Sequence, residues 1–181
     1  MIGDNVFQPP RQLRSSDSRA DFTCGVESLD VWFQKYALQN QRPRNCAVYV
    51  TTWNDRVVGY YAICTGGLER GQAPERITKG RPAVIPVMII ARLAVDVGAQ
   101  GKSVGRKLLQ DAIERCATAA PAIGAAAIVV HALDAEAKRF YQRCVDFVEL
   151  PGEPLHLIMP TKGLGRCLLY TSDAADDLLC V

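Results

Sequence analysis

Residues 91–109 read ARLAVDVGAQGKSVGRKLL, and the reading of this stretch decides the fold. Val87 to Val95 is an apolar run broken only by Arg92, which predicts a strand. Gln100-Gly101-Lys102-Ser103-Val104-Gly105 follows as a tight basic loop, and a helix is predicted from about Val104 to Thr118. Its apolar positions Val104, Leu108, Leu109, Ala112, Ile113 and Cys116 recur at helical spacing. A strand that passes into a helix through such a loop turns several backbone N–H groups and the positive helix end toward one point. That geometry holds a pyrophosphate without a metal. A plain strand-to-helix turn is the alternative that the two glycines alone leave open.

Outward from this centre, the pattern alternates between helix and strand. Residues 1–21 are polar and proline-bearing and are expected to form an extended lead-in. Ser28-Leu29-Asp30 opens a helix of about Leu29 to Asn40, with Leu29, Trp32, Phe33, Tyr36 and Ala37 on one face. Ala47–Thr52 and Arg56–Thr65 read as strands joined by a hairpin-type turn at Trp53-Asn54-Asp55. Leu68 to Pro86 reads as a loop. Ala125–Ala132 is a buried-type strand, Asp134 caps a helix of about Ala135–Arg143, and Phe147–Leu150 and Leu155–Met159 close the chain as strands. The order predicts an α+β (or α/β) fold with a mixed sheet flanked by helices.

Composition limits the chemistry. A chain of 181 residues makes one domain with a substantial core. It has no apolar run long enough to span a bilayer, and its start lacks the apolar segment of a secretory signal, so a cytoplasmic protein is expected. Seven cysteines and two histidines, His131 and His156, fit no zinc spacing. Cys24, Cys46, Cys64, Cys116 and Cys144 are read as reduced packing residues and no metal site is expected. The formal charge of +2 conceals an asymmetry: residues 1–166 carry 21 Lys+Arg against 16 Asp+Glu, a net of +5. A basic body suits an anionic cofactor and an anionic partner such as RNA. Residues 167–181, CLLYTSDAADDLLCV, resemble the translation of a sequencing adapter. They are read as a non-native tail, the alternative being an acidic interaction tail.

Four motifs in order resemble the GCN5-related N-acetyltransferases (GNAT). They are FTCGVESLDVWFQKYALQNQ, VVGYYAI, ARLAVD with QGKSVG, and VVHALDAEAKRFY. The resemblance spans Phe22 to Pro160, takes residues 22–166 as the acetyltransferase domain, and is closest to the toxin branch of type II toxin–antitoxin systems. It implies an acyl-CoA N-acyltransferase fold with acetyl-CoA as co-substrate. Leu93, Ala94 and Val95 would pair their backbone with the pantetheine arm. Gln100, Gly101, Lys102, Ser103, Val104, Gly105 and Arg106 would hold the pyrophosphate. Tyr141 would act as the acid that protonates the departing thiolate; the alternative for Phe140-Tyr141 is an aromatic packing pair. The base stays open: His131 reads as packed and hydrogen-bonded, and Glu27, Asp96 and Asp134 as surface, turn and cap residues.

Two departures from the family pattern bear on activity. Ser103 stands where the first glycine of Gln/Arg-x-x-Gly-x-Gly/Ala belongs; at positive φ a serine costs about 1 kcal/mol, whereas in a helical conformation the cost is small. Weakened but retained binding is expected. The segment FYQRCVDF is one residue longer than the usual FYxxxGF and lacks its glycine. The toxin branch implies aminoacyl-tRNA as substrate, acetylated on its α-amine, with a ribbon-helix-helix antitoxin as partner and a homodimer as a further possibility. Arg42, Arg44, Arg70, Arg76, Lys79 and Arg81, with Lys138, Arg139 and Arg143, would meet phosphates. The other readings are an acetyltransferase of protein N-termini, lysines or small amines, and a GNAT-fold binding module impaired at Ser103 and after Tyr141.

Overall fold

The computed structural model describes residues 6–164; the stretch read as a non-native tail lies outside them. The strands are β1 (Arg11–Gln12), β2 (Ala47–Trp53), β3 (Arg56–Glu69), β4 (Val84–Val95), β5 (Ala127–His131), β6 (Val148–Leu150) and β7 (Glu153–Pro160). The helices are α1 (Glu27–Val31), α2 (Ala37–Gln41), α3 (Glu75–Thr78), α4 (Val104–Ile123) and α5 (Ala135–Cys144). A π-helical turn, Trp32–Tyr36, joins α1 to α2, and a 3₁₀ turn spans Arg70–Gln72. The seven strands hydrogen-bond in the order β1-β2-β3-β4-β5-β7-β6. β4 and β5 run parallel; β1–β2, β2–β3, β5–β7 and β6–β7 run antiparallel. The sheet is mixed, as the element order predicted.

The differences from the expected elements have local causes. The helix expected over 29–40 is interrupted by the π turn, a feature that apolar spacing cannot register. The expected loop 68–86 holds the 3₁₀ turn and α3, with Ile77 buried at 5 % exposure as the anchor, and β4 already starts at Val84. Helix α4 runs past the expected end and through Pro121, which forfeits one backbone bond there. Within the segment read as a lead-in, Arg11 and Gln12 pair with Val50 and Tyr49. The Asp17 carboxylate takes both Arg11 guanidinium nitrogens, at 2.9 and 2.7 Å, and the Arg14 amide at 2.7 Å. The Arg11 hydrogen bond holds Asp17 below the ordinary carboxylate range.

The described chain divides into two compact units. The first takes residues 6–63 and 92–111. Its core packs Phe22, Phe33 and Tyr60 ring on ring, with Phe33 and Tyr60 stacked at 4.3 Å and Phe22 edge-on to each. The hairpin between β2 and β3 turns on Asn54 and Asp55, both at positive φ (51° and 60°), the two-residue turn that matches strand twist. Gly59 on β3 lies directly beneath α4: a Cβ there would sit 2.8 Å from Leu108 Cδ1 and 3.2 Å from Val104 Cγ1.

The second unit takes residues 64–91 and 112–164. Its core gathers Ile77, Ile85, Val87, Ala127, Val129, Leu150 and Ile158. Cys24, Cys46, Cys64, Cys116 and Cys144 form no disulfide. Burial pushes the Cys116 thiol up to about 12, so it stays protonated and acts as a small apolar group.

Candidate active site

The loop after β4 is built around Asp96, which is 2 % exposed. Its carboxylate accepts from the backbone N–H of Thr23 (3.1 Å) and of Gly98 (3.0 Å), and from the Arg56 guanidinium (3.1 Å). Its main chain is equally engaged: Asp96 N donates to Val58 O at 2.9 Å, and Asp96 O accepts from Ala99 N and Gln100 N at 2.8 and 3.1 Å. A buried carboxylate with this many donors fixes where the strand stops and the loop turns. The residue read as a turn former is therefore the hub of the turn. Its signal in the sequence was an Asp two residues before a glycine at a strand end, which is the pattern of a side chain that caps its own turn.

Beyond Asp96 the loop closes in three steps. The Gln100 side-chain amide donates to the carbonyls of Cys24 (3.0 Å) and Val95 (2.9 Å), so this side chain braces the loop. Gly101 has φ 73° and Ser103 φ 60°. Of the two conformations weighed for Ser103, the left-handed one is realised, and the serine occupies it without the freedom a glycine has. Helix α4 then starts at Val104, and Lys107 N donates to Ser103 O at 3.1 Å. The first N–H groups of a helix have no carbonyl one turn earlier to bond, so the start of α4 presents donors and positive potential at the loop.

Leu93, Ala94 and Val95, with exposures of 2, 0 and 1 %, bury their side chains. Only main-chain groups of these residues are available to a ligand. The parallel register of β4 with β5 covers Val87 to Ile90 against Ala127 to Val130, and β4 continues five residues further to Val95. β4 lies between β3 and β5, so past the β5 register an extended ligand could pair only on the β5 side. These residues and the loop form one continuous stretch of the first unit.

Tyr141 belongs to the second unit, on α5, whose N-terminus is capped as expected: Asp134 accepts from Ala137 N at 2.8 Å. The Tyr141 ring meets Phe140 and Phe147 edge to face, at 5.4 and 6.2 Å. Only 2 % of it is exposed, and burial, aided by the neighbouring Cys144, pushes its hydroxyl well above the ordinary phenol range. The group is therefore a protonated phenol. The atypical segment after it ends the helix at Cys144 and returns Phe147, 4 % exposed, onto the tyrosine ring. His131, expected to be packed and hydrogen-bonded, is instead an exposed residue whose ring stacks on His156 at 4.1 Å, because it is the last residue of β5 and faces its register partner on β7. Desolvation, then the His156 charge, lower its pKa, and Glu153 opposes the shift.

Two further groupings in the first unit escaped sequence reading because each joins residues far apart in the chain. Arg92 sets its guanidinium 4.4 Å above the Trp32 ring, beside a depression lined by Glu27, Ser28, Val31 and Tyr36. Lys102 Nζ lies 4.8 Å from the centre of the Trp53 ring. Among the described residues, no group of three His, Cys, Asp or Glu side chains could hold a metal ion, and no helix is long and apolar enough to cross a membrane.

A mixed sheet whose fourth strand runs into an N–H-rich loop and a long helix, with a buried tyrosine on the helix after β5, is the architecture of an acyl-CoA-dependent acetyltransferase. Residues 44–144 match the acetyltransferase (GNAT) domain, more than half of the chain, and the protein belongs to that family. It is 41 % identical over 156 residues to the tRNA-acetylating toxin of Mycobacterium tuberculosis, covering 86 % of this chain and 93 % of the relative. Its fold matches that of AtaT complexed with acetyl-methionyl-tRNAfMet with a TM-score of 0.81, at 28 % identity, over 92 % of this chain and all of the other. A Tyr-to-Phe mutant of the AtaT toxin, bound to the C-terminus of the antitoxin AtaR and acetyl-CoA, matches with a TM-score of 0.75 at 26 % identity, over 92 and 99 % of the two chains.

Proposed function

We propose that this N-acetyltransferase is a toxin that transfers acetyl from acetyl-CoA to the α-amine of an aminoacyl-tRNA, and that an antitoxin holds it in check. The observation that carries the reading is the 41 % identity with the tRNA-acetylating toxin across 93 % of that protein. It acts in the cytoplasm, where charged tRNA and acetyl-CoA are found. Residues 22–166 form the catalytic domain, with 1–21 as lead-in.

The site residues take the following roles. The main chain of Leu93, Ala94 and Val95 hydrogen-bonds the pantetheine arm on the β5 side, where β4 continues past its register with β5. The N–H groups from Gly101 to Arg106, at the start of α4, hold the pyrophosphate, and Lys102 and Arg106 add positive charge. Gln100 contributes through its main chain and through bracing the loop, since its side-chain amide already serves two carbonyls. The neutral amine attacks the thioester carbonyl; the C–N bond forms, the C–S bond breaks, and the sulfur leaves with the electron pair and takes a proton from Tyr141 Oη. A phenol of reference pKa about 10 is a weak donor to a thiolate of about 8.5 in water. Burial raises the tyrosine further, so the transfer relies on the site favouring the phenolate that is left, for example through positive charge. An α-amine next to an ester is substantially neutral near pH 7, and the proton that its nitrogen sheds once the C–N bond forms passes to water, so no strong protein base is required.

The test is acetylation of charged tRNA by the purified protein with acetyl-CoA. Labelled N-acetyl-aminoacyl-tRNA is the expected product, and Tyr141→Phe is expected to lower its rate on the order of 10²-fold while acetyl-CoA still binds. Acetylation of lysine peptides or protein N-termini with charged tRNA untouched would overturn the tRNA reading. A Tyr141→Phe rate equal to the wild type would remove the acid role.

A further inference from the structure

Lys102 is an exposed lysine, yet its side chain is not spread through solvent. Nζ donates to the carbonyl of Gly98 at 3.2 Å and lies 4.8 Å from the centre of the Trp53 ring. Trp53 ends β2 at the tight turn through Asn54 and Asp55, and the Phe7 ring packs on it at 5.6 Å with a tilt of 41°. A row therefore runs from Phe7 through Trp53 to Lys102, within the first unit, and ends on the loop that precedes α4. An indole face attracts an ammonium through the ring quadrupole, and it does so without neutralising the charge as a carboxylate would. Of the three N–H donors of Lys102, one is engaged by Gly98 O, which leaves donors and a full positive charge at the loop.

We propose that Trp53 is a positioning residue for the anion-binding loop: its ring parks the Lys102 ammonium over the Gly98–Ser103 turn and so sets the affinity for the phosphate-bearing end of the acyl donor. The inference rests on the loop being the pyrophosphate site of acetyl-CoA. It does not depend on the acceptor. A flexible lysine would have to be collected from many rotamers when the anion arrives, whereas a lysine held on an aromatic face meets the anion already placed.

Calorimetric titration of the full chain with acetyl-CoA, without any acceptor, tests this in a four-protein cycle with Trp53→Phe added as a fifth protein. Trp53→Leu is expected to weaken binding about two- to five-fold, the range of an exposed cation–π contact. Trp53→Phe is expected to recover most of that loss, because the ring face is restored. In a Lys102→Ala background, Trp53→Leu should have no further effect, since the group it positions is gone. A Trp53→Leu loss of the same size in both backgrounds would mean that the tryptophan only supports the fold, and would overturn the proposal. Failure of Trp53→Phe to recover binding would do the same. The loop reading fails separately if Lys102→Ala alone leaves acetyl-CoA affinity unchanged while Trp53→Leu weakens it.

Discussion

Ser103 holds a φ of 60° at the turn into α4, a conformation that costs a side chain with a Cβ about 1 kcal/mol or more. Glycine at the same place would adopt it freely, at the expense of a more flexible unfolded chain. Ser103→Gly is therefore expected to raise stability by about 0.5–1 kcal/mol, read from the urea midpoint at constant slope, and to tighten acetyl-CoA binding. A lowered midpoint would show that the hydroxyl contributes more than the backbone conformation costs. The departure from the glycine pattern was legible in the sequence, but its sign was not, because a residue type does not reveal its own φ. Asp96 makes the same point. Its neighbours Thr23, Arg56 and Val58 lie far away in the chain, and the residue reads as an ordinary turn former until they are brought to it.

At the scale of elements, most boundaries followed from period and composition. β5 and α5 fall within a residue or two of the expected limits because an apolar run and an Asp cap are local signals. The π turn at Trp32–Tyr36 and the passage of α4 through Pro121 are set by packing, which leaves no comparable mark. The β5–β7 pair carries a consequence for pH. His131 and His156 stand opposite each other in register with their rings stacked. Desolvation and the His156 charge depress the pKa of His131 below its ordinary 6.5, while Glu153 opposes the shift. The folded chain therefore binds fewer protons than the unfolded one below about 6.5. The contribution of His131 is present above that pH and is lost as pH falls toward the depressed value. Urea titrations between about pH 7.5 and 5.5 should show falling stability, and His131→Phe, which keeps a ring on the stack, should flatten the decline. An identical slope in the variant would place the dependence elsewhere.

For the whole molecule, the family was legible because four motifs kept their order across most of the chain. The substrate rests on kinship and on charge. Residues 1–166 carry a net +5, which suits a polyanion, and binding through phosphates releases counterions. If about three phosphates of the tRNA are neutralised, the affinity for charged tRNA should fall on the order of 40-fold between about 50 and 200 mM salt. Filter binding across that range measures the slope; a flat response would mean that the basic residues do not meet the nucleic-acid backbone. The pairing of Trp53 with Lys102 and of Trp32 with Arg92 was not legible, since each needs the first unit to be assembled before its partners meet.

Gly59 has a role that reaches beyond its own strand. It is a missing methyl group on β3, and Leu108 and Val104 of α4 rest in the space it leaves. Val104 is also the first residue of that helix, one position after Ser103. The distance between sheet and helix is thus a mechanical tolerance, set by the absence of a single carbon, and the start of α4 is machined from beneath by Gly59. On the loop's proposed role, evolution or design could trim donor affinity at this one hidden shim and leave every residue of the loop as it stands.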